Sequence, residues 1–245
     1  MYKIIFSATG RTEKVADAFC SVFDKVEKID LSADMEKISL PAEEICLIAA
    51  PVYGGRIPAP AAENICKITA NGAKAVVMVV YGNRAYDDAL AELKHLAETA
   101  GFTVCGAVAA VAQHSLITDV ATDRPDENDI KQLKEFAQQF MAMDTPSHSI
   151  TVPGNVPQGN AYSLPVHPKA TAACTECGLC AAKCPAKAIS RETPQLTDKT
   201  KCITCMRCVE ICPNSARVLM PKVMKIAGPV MKKVWGKHTE NQFFI

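Results

Sequence analysis

The chain has 245 residues, 49% of them hydrophobic, with a formal net charge of +1, so it has the length for two domains and ample apolar content for their cores. No uninterrupted apolar run reaches the length of a membrane span. Met1-Tyr2-Lys3-Ile4-Ile5 opens a short mixed run rather than a basic-then-apolar leader, so a cytoplasmic location is expected. The near-zero charge conceals an asymmetry, because residues 1–145 carry 14 Lys+Arg against 21 Asp+Glu, a balance of −7, and residues 146–245 balance at +8.

Residues 1–145 alternate strand and helix. Lys3–Phe6 reads as a short apolar strand, and a helical stretch containing Val15–Phe19 follows Thr12. Val26–Leu31 is a weaker, edge-like strand. Glu43–Ala50, Ala75–Val80 and Thr103–Ala112 supply the other three, and helices are expected over Ala61–Ala70, Asp87–Ala100 and Pro125–Met143. The stronger strands are apolar throughout rather than alternating, which suits strands covered on both faces. Such alternation predicts a doubly wound, five-stranded parallel sheet of the α/β class.

In that architecture a ligand sits beyond the C-terminal strand ends, where strand order reverses. Three loops stand there. Ser7-Ala8-Thr9-Gly10-Arg11-Thr12 combines hydroxyls, a glycine and a helix start, the makings of an anion cradle. The second loop, Pro51-Val52-Tyr53-Gly54-Gly55-Arg56-Ile57-Pro58, and the third, Tyr81-Gly82-Asn83-Arg84-Ala85-Tyr86-Asp87-Asp88, offer aromatic, polar and glycine positions suited to a flat ring. Neither G-x-x-x-x-G-K-[ST] nor G-x-G-x-x-G is present, so nucleoside triphosphates and dinucleotides are not supported.

On these three loops the segment resembles the flavodoxin family. The resemblance implies strand order 2-1-3-4-5 and an FMN whose phosphate is wrapped by Ser7, Thr9, Gly10, Arg11 and Thr12. It further implies a flavin ring flanked by Pro51, Val52, Tyr53, Gly54 and Gly55 on one loop and by Tyr81, Gly82, Asn83, Arg84, Tyr86 and Asp88 on the other. Gly82-Asn83 would face the flavin N5. Tyr53 and Tyr86 are the candidates to cover the ring, since this segment has no tryptophan. A flavodoxin-like domain that has lost its flavin and serves as a docking scaffold is the alternative.

Residues 146–170 form a connecting segment rich in Pro and Gly, a semi-rigid path rather than a floppy one. Two identical runs follow within residues 171–220: Cys174, Cys177, Cys180, Cys184 with Pro185, and Cys202, Cys205, Cys208, Cys212 with Pro213. Each reads C-x2-C-x2-C-x3-C-P. Zinc usually takes two C-x2-C pairs with a longer spacer, and disulfides are rare in a reducing compartment. The spacing resembles that of bacterial two-cluster ferredoxins, a small α+β fold holding two [4Fe–4S] clusters. The resemblance implies crossed ligation: Cys174, Cys177, Cys180 and Cys212 on one cluster, Cys202, Cys205, Cys208 and Cys184 on the other. Basic residues around anionic clusters offset a charge that composition alone misses, so nucleic acid is not implied. Cys20, Cys46, Cys66 and Cys105 lie among apolar neighbours and read as small hydrophobes.

Residues 221–245 form a tail. Pro221 to His238 spaces its apolar residues like one helix face, interrupted at Gly228-Pro229. It could lie on a membrane surface or, as expected here, dock on the chain itself or on a second subunit in a homodimer. Taken whole, the chain resembles flavodoxin–ferredoxin fusion proteins. That implies an electron-transfer protein of anaerobic metabolism relaying single electrons between two low-potential clusters and FMN, with redox partner proteins. A flavoenzyme reducing a small molecule and a non-catalytic redox sensor or scaffold are the alternatives.

Overall fold

The structure, a computed structural model, describes residues 1–143, 150–159, 164–219 and 221–245; side chains at 221–224 and 227 are outside the description. The elements run β1 (Tyr2–Ile5), α1 (Arg11–Cys20), β2 (Glu27–Asp30), β3 (Ile38–Ser39), β4 (Ile45–Pro51), α2 (Ala59–Ile65), β5 (Ile68–Thr69), β6 (Lys74–Tyr81), α3 (Ala89–Thr99), β7 (Thr103–Val111) and α4 (Glu127–Ala142). The remainder holds β8 (Lys169–Ala170), α5 (Leu179–Ala182), α6 (Arg207–Glu210), β9 (Arg217–Val218), α7 (Pro221–Trp235) and β10 (Gln242–Phe244).

Five strands of the main sheet are parallel, in spatial order β2-β1-β4-β6-β7, which is 2-1-3-4-5 among themselves. Pleating sends alternate side chains to opposite faces. Ile4, Val77 and Val79 pack with Ala61 and Ile65 of α2 and Leu90 and Leu93 of α3. Ile5, Val76, Met78 and Val80 pack with Val15 and Phe19 of α1 and Leu133 and Phe136 of α4. Both faces are therefore buried, which is why the strand sequences do not alternate.

Three elements differ from expectation. The helix expected over Ala61–Ala70 ends at Ile65, because Ile68 and Thr69 are β-branched and pair instead with Ile38 and Ser39 as a two-stranded parallel sheet. The main sheet has six strands rather than five, since β10 adds antiparallel to the outer edge of β7 and occupies its open hydrogen-bonding row. Gly228-Pro229 does not interrupt α7: Pro229 lies inside the helix, which tolerates its missing N–H bond and the ring's contact with the carbonyl four residues back. The apolar residues of this helix divide between two directions. Met231 and Trp235 turn toward the α/β body, and Ile226, Val230 and Val234 are exposed.

The tail is sewn down by Asn241, whose Nδ2 donates to Asp129 Oδ1 (2.8 Å) and whose Oδ1 accepts from Val111 N (2.9 Å). Asp129 also pairs with the buried Arg124 and closes the capping box of α4 with Asp126. The connecting segment runs against α3: Ile150 is buried in the core and Asn155 N donates to Asp88 Oδ1. Among the described residues no helix is long and apolar enough to cross a membrane.

Candidate functional site

The two cysteine runs fold as a repeat with an offset of 28 residues, visible in the numbering of each pair Cys174/Cys202 to Cys184/Cys212. The backbone repeats with them. Glu176, Gly178 and Lys187 adopt left-handed conformations, as do Thr204, Met206 and Ser215 at the equivalent positions. Left-handed non-glycine residues are unfavourable by about 1–2 kcal/mol each, so five of them in 40 residues mark loops held to a demanding shape. Short helices α5 and α6 correspond, and so do two N–H···S hydrogen bonds: Ala188 N donates to Cys184 Sγ (3.3 Å) and Ala216 N to Cys212 Sγ (3.2 Å).

Each half contributes three cysteines to one cavity and a fourth to the other. Cys174, Cys177, Cys180 and Cys212 line one cavity. Cys184, Cys202, Cys205 and Cys208 line a second. All eight are free thiols. Burial pushes the thiol of Cys205 up to about 11 and that of Cys208 up to about 12, so anionic sulfur at these positions calls for a cation at its side. Among the described residues no three His, Cys, Asp or Glu side chains converge as a single-ion site.

Arg217 supplies a further test of what that space accepts. It is 2% exposed and lines the Cys174 cavity. Its Nη1 donates to Thr197 Oγ1 (2.7 Å) and Pro168 O (3.4 Å), and Nη2 donates to Pro194 O, while Nε has no partner. Among the described residues no carboxylate pairs with it. A buried guanidinium facing only neutral acceptors, with an orphaned N–H, is satisfied by an anion in the adjoining cavity, and a thiolate-ligated cubane is one.

The second site lies at the C-terminal strand ends of β1, β4, β6 and β7. A small cavity of about 40 Å³ is lined by Thr9, Arg11, Thr12, Pro51, Val52, Tyr53, Tyr81 and Gly82. It shares Val52, Tyr53, Tyr81, Gly82 and Ser115 with a mainly apolar cavity of about 320 Å³, whose walls also include Gly54, Gly55 and Arg84. Gly10 at the start of α1 offers no side-chain cap, and although Ser7 Oγ takes Glu13 N, the N–H groups of Arg11 and Thr12 are left available to an anion. Gly10 has φ +78° with open space where a Cβ would stand, so its backbone conformation, not crowding, requires glycine.

Of the residues the sequence named for this site, five line neither cavity. Ser7 Oγ accepts from Glu13 N, and Gly10 forms the start of α1. Asn83 Nδ2 donates to Trp235 O and Lys237 O, tying the tail to the third loop. Tyr86 packs edge-on against Tyr81 and donates to Gln242 Oε1 (2.6 Å), which ties it to β10. Asp88 secures the connecting segment. Tyr53 does line both cavities.

Several lining residues were not anticipated. His114 and Ser115 follow β7, a fourth strand end in the same position as the three loops recognised. His114 Nδ1 accepts from Leu116 N (3.1 Å) and Ile117 N (3.2 Å), and its ring stacks on Trp235 at 5.7 Å and 13°. Burial, assisted by Arg11 and Arg84, holds its pKa down at about 4, so the ring is neutral with Nε2 carrying the proton. Gly82 is glycine because a Cβ there would stand 2.6 Å from His114 Cδ2. The chain's one tryptophan thus reaches this cavity from the tail.

The two sites adjoin. Ile203 and Thr204, inside the second cysteine run, line the large cavity. Cys205 is buried in the core against which Tyr53 packs, and Tyr53 lies close enough for the two side chains to interact electrostatically. Arg207, between Cys205 and Cys208, donates to Ala8 O (3.3 Å) and Ser7 O, clamping the cysteine loop onto the first loop. Arg11 answers across the contact to Glu210 (3.7 Å), and Lys187 pairs with Asp34 (2.8 Å).

Residues 173–217 match the 4Fe-4S dicluster domain family. Among solved structures, flavodoxin 1 from Bacillus cereus aligns at 20% identity over 59% of this chain and 98% of its own, with TM-score 0.44. A Streptococcus pneumoniae flavodoxin aligns at 20% over 58% and 97%, TM-score 0.42. A Fusobacterium nucleatum flavodoxin, solved bound to flavin mononucleotide, aligns at 14% over 57% and 96%, TM-score 0.42. No curated protein sequence matches the chain. The chain joins a flavodoxin-like α/β fold, evident in its own strand order, to a dicluster-type iron–sulfur segment, a combination that fits electron transfer.

Proposed function

We propose that this protein carries electrons between two [4Fe–4S] clusters, held by Cys174/Cys177/Cys180/Cys212 and Cys184/Cys202/Cys205/Cys208, and an FMN in the cavities beside the second quartet. In this reading residues 1–145 bind the flavin, residues 171–220 hold the clusters, and the protein works in the cytoplasm of an anaerobic cell with separate redox partner proteins. The carrying observation is the crossed lining of two equal cavities, each by four free cysteines drawn from both runs.

Clusters supply one-electron chemistry, and a flavin supplies both one- and two-electron chemistry. The chain's own part is to hold and tune. Ala188 N and Ala216 N donate to Cys184 and Cys212 sulfur, contacts of the kind that adjust potential. Thr9, Arg11 and Thr12 at the start of α1 suit a phosphate. Tyr53, Tyr81 and the neutral His114 wall the apolar space, and Trp235 helps to roof it against water. Arg207 keeps the second cysteine run against the first loop, so the path between the sites stays short and within one chain.

Anaerobic absorption spectroscopy with a reductive EPR titration tests this. Flavin bands, a broad iron–sulfur shoulder and signals from two clusters are expected. Protein carrying clusters but no flavin after reconstitution with FMN would refute the flavin half.

A further inference from the structure

The 28-residue repeat gives the two cysteine loops matching backbones, with left-handed residues and N–H···S bonds at equivalent positions, yet their surroundings differ. Glu176 and Cys177 of the first loop are exposed, whereas their counterparts Thr204 and Cys205 are only 3% and 8% exposed. Leu179 is 37% exposed at the edge of the first cavity, and the residue in its place in the second loop is Arg207, clamped to Ser7 O and Ala8 O. The first loop bonds within the cysteine segment instead: Gln195 Nε2 donates to Glu176 Oε1 (2.6 Å) and Asn214 Nδ2 to Thr175 Oγ1 (2.8 Å). Among the described residues no hydrogen bond or ion pair joins residues 174–180 to the α/β body. One copy of the repeat is covered by that body, and the other faces solvent.

We propose that the two quartets act in series: Cys184, Cys202, Cys205 and Cys208 form the inner one, joined to the large cavity, and Cys174, Cys177, Cys180 and Cys212 form the port at which a separate one-electron carrier protein gives or takes electrons. This deepens the proposed function and rests on it, since both quartets must hold clusters. Ile203 and Thr204 of the second loop line the large cavity, and among the described residues none of the first loop does. Tyr53 connects that cavity to the core containing Cys205. The quartets are themselves interlocked, because each half lends its fourth cysteine to the other. Leu179 and Leu196, the exposed large apolar side chains of the described cysteine segment, fall on the port side, Leu196 following the Gln195 that holds Glu176. An apolar edge beside an exposed ligand suits a protein carrier, whose contact must exclude water at its centre. Each step moves one electron and makes or breaks no bond.

The test uses anaerobically purified full-length protein reconstituted with FMN. Ferricyanide with EDTA should strip about four irons per chain several-fold faster than the other four. Cys205→Ser should leave only the fast fraction, and Cys177→Ser only the slow one. Arg207→Ala, which keeps all eight cysteines and opens the clamp, should speed the slow fraction alone; it decides the matter if a serine variant fails to assemble. With a reduced bacterial two-cluster ferredoxin as donor, bleaching of the flavin bands should be several-fold slower in Cys177→Ser than in the parent. Loss of all the iron in one phase, a fast fraction that survives Cys177→Ser, or flavin bleaching that does not depend on Cys177 would overturn the order of the quartets. Protein that takes up no iron would instead refute the underlying function, and protein that takes up iron but no flavin would refute its flavin half while the two iron phases still report the order.

Discussion

Gly82→Ala isolates the packing between the third loop, the unanticipated His114 and the tail. The added methyl would stand 2.6 Å from His114 Cδ2, 2.7 Å from its Cγ and 2.9 Å from its Cα. Ordinary contact begins near 3.4 Å, so the ring must retreat by roughly 0.8 Å. It has nowhere to go, because Trp235 stacks behind it and two backbone N–H groups grip Nδ1. Overpacking of this kind costs about 1–3 kcal/mol, which in a chain of this size lowers Tm by roughly 2–12 °C. The assay is thermal unfolding by circular dichroism, paired with flavin retention on gel filtration. His114→Ala in the Gly82→Ala background removes the clash, so the double variant should melt close to His114→Ala alone. A single variant within about 1 °C of the parent, or strictly additive effects in the cycle, would refute the close approach of these residues.

Three other outcomes are expected. The folded chain resists the proton that unfolded His114 accepts near pH 6.5, so stability is complete above that pH and is lost as pH falls from 6.5 toward about 4. Between pH 7 and 5 the parent should lose about 2 kcal/mol more than His114→Gln in urea titrations; equal losses would place the histidine elsewhere. Crossed ligation predicts that Cys174→Ser with Cys212→Ser costs only about four irons per chain, while Cys174→Ser with Cys184→Ser costs about eight, as measured by anaerobic iron assay. The reverse order would mean that each run holds its own cluster. Removing the clamp in Arg207→Ala takes away two charged hydrogen bonds worth about 1.5–3 kcal/mol each at most. It should speed flavin release several-fold with iron unchanged, and an unaltered release rate would make the contact incidental.

The sequence announces this molecule unevenly. Cysteine spacing declares the two quartets because covalent chemistry dictates it locally, and the apolar strand runs declare the sheet because both faces are buried. The first three loops were legible from their place after β1, β4 and β6, and the same rule extended to β7 would have found Gln113–Ser115. Other features depend on distant partners. Tyr86 gives no sign in sequence that Gln242, 156 residues away, takes its hydroxyl. Trp235 shows no sign in sequence of meeting His114, and Asn241 gives no hint that it joins β7 to α4. Arg207 and Lys187, beside the cysteines, both reach the α/β body. Polar residues with partners more than a hundred positions away carry no local signature of that duty.

Elemental analysis of the chain, purified and kept without oxygen, bears most directly on the eight cysteines. Two cubanes require about eight irons and eight acid-labile sulfides per chain, with zinc far below one equivalent. One or two zinc ions per chain in place of iron, or iron without sulfide, would contradict the account.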